Sequence, residues 1–157
     1  VSKPSPGAAA PHRLERRIVI AAPRDQVWGL VEDPEALMQW VHGLQSVTSA
    51  SGMSGGFALG ATFVQRIRIG LVPTACRGEV VECVPPGRLA VVVHHALFDL
   101  DIRYDFKAAG RRTEVSCSAA VRGRALGTVI PRHKVEEVTA GILTEHLDAL
   151  RTLAEHG

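Results

Sequence analysis

Little in this 157-residue chain would staple, anchor or steer it. It has three cysteines, Cys76, Cys83 and Cys117, an odd number with no C-x-x-C pair. A disulfide framework and a zinc knuckle are therefore both disfavoured. Each cysteine sits in a strand-like segment, where a free thiol behaves as a small apolar group. A reducing, cytoplasmic setting fits that usage. The formal net charge is only +2, from 18 basic and 16 acidic side chains. The basic residues are scattered, so neither nucleic acid nor an anionic membrane surface is indicated as a partner. No apolar run approaches the ~20 residues of a spanning helix. Residues 1–13 lack an apolar signal core and read as a flexible leader before one domain, 14–157. No repeat or low-complexity tract is visible, and 46% hydrophobic residues suffice for a core.

What is present is an order of elements. A strand through Ile18 and Ile20 runs into Pro23, placed to start a helix over Arg24 to Glu32. Val27, Trp28, Leu30 and Val31 give that helix a buried side. Asp33-Pro34 breaks it, because the residue before proline is pushed out of helical geometry. A short helical turn, Glu35 to Met38, leads to Trp40. Strands are expected at Leu44 to Ala50, Thr62 to Ile69, Ala75 to Val84, Leu89 to His95, Phe98 to Phe106 and Thr113 to Val121. Glycines at 52, 55, 56 and 60 mark a turn before the second of these.

The clearest alternation is in the fifth. Phe98, Leu100, Ile102, Tyr104 and Phe106 interleave with Asp99, Asp101, Arg103 and Asp105, a sheet with one dry and one wet face. Phe63, Gln65 and Ile67 share a face opposite Arg66 and Arg68, and Cys117 lies on the apolar side of its strand. Pro131 suits the first turn of a final helix reaching about Glu155. At 100° per residue, Val135, Val138, Ile142, Ala149 and Leu153 form its narrow stripe, widened by Leu143, Leu147 and Leu150.

The sequence β-α-α, six strands, long helix resembles the helix-grip superfamily, which includes Bet v 1-like allergens, START lipid-transfer domains and polyketide cyclase/dehydrase-like proteins. The resemblance spans roughly residues 14 to 155. It rests on Ala22-Pro23 with Val27-Trp28, Asp33-Pro34 with Trp40, Gly60 before a strand, Val80-Val81-Glu82 with Pro85-Pro86, and the terminal helix. It implies an α+β helix-grip fold, a curved antiparallel sheet wrapped around the long helix. It also implies a hydrophobic, polyketide-like ligand in an internal cavity. In the aromatase/cyclase branch a pocket tyrosine and an arginine fall where this chain has Leu44 and Cys83. Their arginine/tyrosine mechanism therefore does not carry over.

Several constellations bear on chemistry. The loop from Gly55 to Gly60-Ala61-Thr62 lacks the phosphate-holding lysine of a P-loop and precedes a strand. His94 and His95 face opposite sides of a strand, and the parity of Leu89, Val91 and Val93 favours His95 as the inward one, a candidate for proton transfer. His146 lies in the apolar stripe of the last helix and reads as a satisfied core histidine. His133 with Glu136 and Glu145-His146 do not form a zinc ligand set, so no metal and no cofactor are expected. Gln65 and Tyr104 are polar groups on dry faces, as ligand-orienting groups are. Arg77 and Glu79 share parity with Val81 and Cys83. They are an inward clamp or acid/base pair if that face is inward, and an exposed cross-strand pair if it is not.

The expectation is a polyketide cyclase/dehydratase-like protein, with Tyr104, His95, Glu79 and Arg77 as candidate catalytic groups. Trp40, Phe63, Gln65, Ile67, Val81, Cys83, Leu100, Ile102, Cys117, Val138 and Ile142 are the candidate pocket lining. The alternative is a non-catalytic carrier of a lipid or polyketide-like ligand. The expected partner is a hydrophobic small molecule, with the protein a monomer or homodimer.

Overall fold

The chain leaves a sheet at one edge and re-enters it at the other. The computed structural model describes residues 13–49, 58–69, 72–96, 98–123 and 132–157. Strand β1 (Arg13–Ile20) is followed by helices α1 (Arg24–Glu32) and α2 (Pro34–Trp40). Six strands come next: β2 (Leu44–Ser49), β3 (Thr62–Ile69), β4 (Val72–Val84), β5 (Arg88–His94), β6 (Phe98–Ala109) and β7 (Arg112–Gly123). Helix α3 (Arg132–His156) ends the described chain but for Gly157. The sheet is antiparallel throughout, in the order β1-β7-β6-β5-β4-β3-β2. Thus α1 and α2 carry the chain from edge to edge, and α3 returns across the inner face, closest to β1 and β7. This is the expected helix-grip arrangement. Arg13 belongs to β1, and the rest of the expected leader, residues 1–12, lies outside the described residues. Pro131 and the glycines at 52, 55 and 56 lie outside them as well. No helix among the described residues is long and apolar enough to cross a membrane.

The corner between α1 and α2 follows from one proline. Asp33 is extended (φ −85°, ψ 118°), as the residue before Pro34 must be, and its carboxylate accepts from the Glu35 N–H at 3.1 Å. Pro34 has no N–H to give the Leu30 carbonyl four residues back. The Trp40 indole N–H takes that place, 2.9 Å from the Leu30 oxygen. The tryptophan thereby pins α2 against α1.

The far end of α3 is tied to the same region. The Gln26 amide donates to the Ala154 carbonyl (3.0 Å), and the Ala21 N–H donates to Glu155 (2.8 Å). The buried Thr113 hydroxyl donates to the Ala22 carbonyl at 2.7 Å, fixing the β1–α1 junction to β7. These ties set the roll of α3. Its buried side is Thr139, Leu143, His146, Leu147, Leu150 and Ala154. The expected centre is one residue away: Val138 and Ile142 are 52% and 43% exposed and lie on the flank, while Ala149 and Leu153 are half-buried. Treating Thr139 and His146 as polar moves the apparent stripe toward the β-branched residues. The side chain of Val135 lies outside the described set.

Strand β4 carries the main correction. Cys76, Gly78 and Val80 face inward, so Arg77, Glu79 and Val81 are exposed on the outer face. A β-bulge between Val80 and Glu82 then shifts the parity and brings Cys83 back inside, opposite Leu89. Arg77, Glu79 and Val81 therefore do not share the face of Cys83. The Phe63 ring lies across Gly78, where an added Cβ would collide with its Cζ and Cε atoms. Phe63 is buried and cannot swing away. Gly78→Ala should cost about 1–3 kcal/mol in urea denaturation, the usual scale of overpacking. Adding Phe63→Leu should return part of that loss. A neutral Gly78→Ala would contradict the packing described.

Candidate functional site: the inner face beneath the long helix

The register places one set of side chains on the inner face. Leu89 pairs with Tyr104, Val91 with Ile102 and Val93 with Leu100. Across the next junction Tyr104 pairs with Cys117, Ile102 with Ala119 and Leu100 with Val121. From the other side come Phe63 opposite Gly78, Gln65 opposite Cys76 and Ile67 opposite Thr74. The alternation expected of β6 holds: Tyr104 is buried, Leu100 and Ile102 are half-buried, and Arg103 is exposed. Asp101 turns outward to Arg13 (2.8 Å) and Arg103 (3.3 Å). Every charged side chain of β3 to β6 has outward parity.

Burial divides this face in two. Near α1 and α2 it is filled by an aromatic row. His146 meets Trp40 edge-on (6.3 Å between ring centroids), Trp40 meets Tyr104 edge-on (6.1 Å), Tyr104 lies beside Phe106 (6.1 Å), and Trp28 meets Phe106 edge-on (5.7 Å). Such edge-to-face contacts are favourable ring geometries. Farther along, Val91, Leu100, Ile102 and Val121 face inward but are only half-buried, as is Ile67 on β3. The first half of α3 above this side leaves Val138 and Ile142 exposed. Apolar groups are thus left uncovered on the sheet wall and on the helix.

The polar groups among them are neutral. Tyr104 is fully enclosed, and burial raises its phenol well above the ordinary value, so it remains an O–H. Its side-chain partner is Cys117, whose thiol burial pushes up to about 12. Burial lowers His146 to about 4, with Glu145 opposing and His42 adding to the shift. At neutral pH it is an uncharged imidazole. Gln65 and Thr74 are half-buried on the same face.

Other candidates take different places. Trp40 is core, and its indole N–H is consumed by Leu30, so it offers no donor at a pocket mouth. Leu44 and Cys83 are on the inner face, packed with the core. His95 lies just past β5, half-buried and stacked on Phe98 at 4.5 Å. His94 faces out and contacts Asp99 through Nδ1 at 2.8 Å. Among the described residues no cluster of metal-ligating side chains occurs. His146 is buried on α3 against the Trp40 ring. Its place in the helix stripe was the available signal, but its surroundings depend on Trp40, which is distant in sequence.

The family described as "Polyketide cyclase / dehydrase and lipid transport" matches residues 11–155. No curated protein matches the chain. Among solved structures it is similar to a START superfamily protein from Mycobacterium smegmatis (TM-score 0.75, 15% identity, 92% of this chain and 97% of that one). It is also similar to the ZhuI aromatase/cyclase from Streptomyces sp. R1128 (TM-score 0.74, 16% identity, 92% and 93%). A third is DynU16, from the dynemicin biosynthetic locus (TM-score 0.66, 20% identity, 92% of this chain and 48% of that one). At these identities the likeness is one of fold.

His146 makes a pH prediction. Its folded pKa lies below the ordinary 6.5, so the unfolded chain takes up a proton that the folded form resists. The penalty is absent above pH ~6.5, grows as pH falls and levels off below about 4. At about 1.4 kcal/mol per pH unit it totals on the order of 3 kcal/mol. His146→Leu should lose that much less stability than the parent between pH 7 and pH 4 in denaturant titrations. Equal losses in the two proteins would show that His146 is not held in a dry setting.

Proposed function

We propose that this chain, which belongs to the polyketide cyclase/dehydrase and lipid transport family, binds a hydrophobic, oxygenated small molecule between the inner sheet face and α3 and promotes its cyclisation or dehydration. One observation carries the reading: Val91, Leu100, Ile102 and Val121 turn inward yet stay half-buried, facing a helix whose Val138 and Ile142 are uncovered. An apolar ligand in that space would remove both surfaces from water.

Catalysis here is mostly confinement. A flexible chain held in one folded conformer reaches its cyclising geometry without the entropic cost it faces in water. The Tyr104 phenol, kept protonated and partnered by Cys117, would donate to a ligand carbonyl by exchanging that partner, and Gln65 can donate or accept from β3, two strands beyond β5 on the same face. His95, half-buried in the β5–β6 turn, is the candidate for moving a proton at the open end. Arg77 and Glu79 have no part, since both face outward. That arrangement favours a second reading, carriage without chemistry, because the inner faces of β3 to β6 bring no charged acid–base pair together.

Nile red, a neutral fluorescent probe, should bind saturably, and binding should survive EDTA. Ile102→Arg puts a charge into the half-buried wall and should weaken the probe at least about tenfold while the fold is kept. Saturable binding unaffected by Ile102→Arg would remove the wall from the site. Tyr104→Phe keeps the ring packing and deletes the hydroxyl. If the hydroxyl meets the ligand, affinity or turnover of a poly-β-ketone mimic falls about ten- to a hundredfold. The unfolding free energy should fall by only about 0.5–1.5 kcal/mol, the scale of one hydrogen bond. Unchanged ligand behaviour with a larger stability loss would make Tyr104 a packing residue. Turnover of the mimic also separates catalysis from carriage.

A further inference from the structure

We infer that the site takes uncharged amphiphiles bearing a ketone, phenol or alcohol oxygen, and discriminates against carboxylates and phosphates. The inference rests on the pocket reading above and names its ligand class. All the charged side chains of β3, β4, β5 and β6 point away from the space: Arg66 and Arg68, Arg77, Glu79 and Glu82, Arg88, and Asp99, Asp101, Arg103, Asp105 and Lys107. Several are neutralised there, Asp101 by Arg13 and Asp105 by Arg88. No guanidinium or ammonium from these strands is left to receive an anion inside. On α3, Glu136, three residues before the buried Thr139, is half-buried and acidic. An anion drawn against these four strands would lose its hydration without gaining a counter-charge from them, and the one cation of inner parity on β1, Arg16, is exposed at the sheet edge.

The interior instead offers neutral hydrogen-bonding groups. His146 is 8% exposed, and no described residue hydrogen-bonds its ring nitrogens. No side-chain nitrogen or oxygen among the described residues is both sealed and unpaired. The His146 nitrogens therefore open onto accessible space, beside the Trp40 ring. A neutral imidazole there presents one donor and one acceptor. Gln65 and Thr74 add donors and acceptors of the same uncharged kind from β3 and β4. A hydroxyl or carbonyl can be matched by such groups, whereas a carboxylate or phosphate needs cations.

The test is competition of 1-decanol, 2-decanone and decanoate against bound Nile red at pH 7.5, each below its aggregation concentration. The chain length is fixed, so only the head group differs. Decanol and decanone should displace the probe at concentrations at least about tenfold lower than decanoate. Ile102→Lys, which supplies an inner cation, should narrow or reverse that preference. Decanoate binding as well as decanol to the parent protein would overturn the inference while leaving the pocket reading intact. Displacement by none of the three while Nile red stays bound would overturn it too. Absence of Nile red binding would overturn the pocket reading and this inference with it.

Discussion

The structure depends on the two-residue period of an antiparallel sheet whose inner face must stay dry. Along β6 every aspartate, arginine and lysine points out and every large apolar residue points in, over twelve residues without a break in parity. A slip of one residue would turn five charges inward and expose Tyr104 and Phe106. The same parity runs through β3, β5 and β7 and through β4 up to its bulge. Strands β3 to β7 can therefore line the inner face with apolar and neutral polar groups, and the charge of inner parity on β1, Arg16, sits at the sheet edge and is exposed. The outer ion pairs, Arg13–Asp101 and Arg88–Asp105, are partly exposed and contribute little stability. Their consequence is to keep charge off the inner face.

The helices then decide how much of that face is filled. Pro34 forces the corner after α1, and Trp40 closes it by bonding the carbonyl that proline leaves free. This sets Trp40 between Tyr104 and His146 and makes one end of the inner face a packed aromatic row. Ties at Gln26–Ala154 and Ala21–Glu155 hold the C-terminal part of α3 on that end. Beside the first half of the helix the sheet's apolar side chains Leu100, Ile102 and Val121 stay half-buried. A dry, well-anchored end and an open apolar end belong to one design, in which rigidity next to Trp40 positions the polar groups facing the uncovered wall.

Much of this was legible because local rules and tertiary packing agree. The bounds of α1 follow from Pro23 and Asp33-Pro34, and β6 announces its own register. Three features were not legible, each for a physical reason. The β-bulge at Val80/Glu82 has no glycine or proline to mark it, so the parity of Arg77, Glu79 and Cys83 could not be resolved locally. The roll of α3 is set by side-chain ties to α1 and β1, which a hydrophobicity count does not contain. His146 and Trp40 exchange significance: Trp40, expected in the pocket lining, is core with its indole N–H spent on Leu30, and the imidazole that looked satisfied opens onto accessible space.

The account stands on the uncovered wall between β5–β7 and the first half of α3 being where a ligand sits. Methyl NMR of Ile, Leu and Val groups during titration with 1-decanol tests this directly. The account predicts saturable shifts at Val91, Leu100, Ile102, Val121 and Ile142, with the outward-facing Val64 and Val84 unmoved. Shifts confined to the outer-face valines, with Leu100 and Ile102 silent, would contradict it.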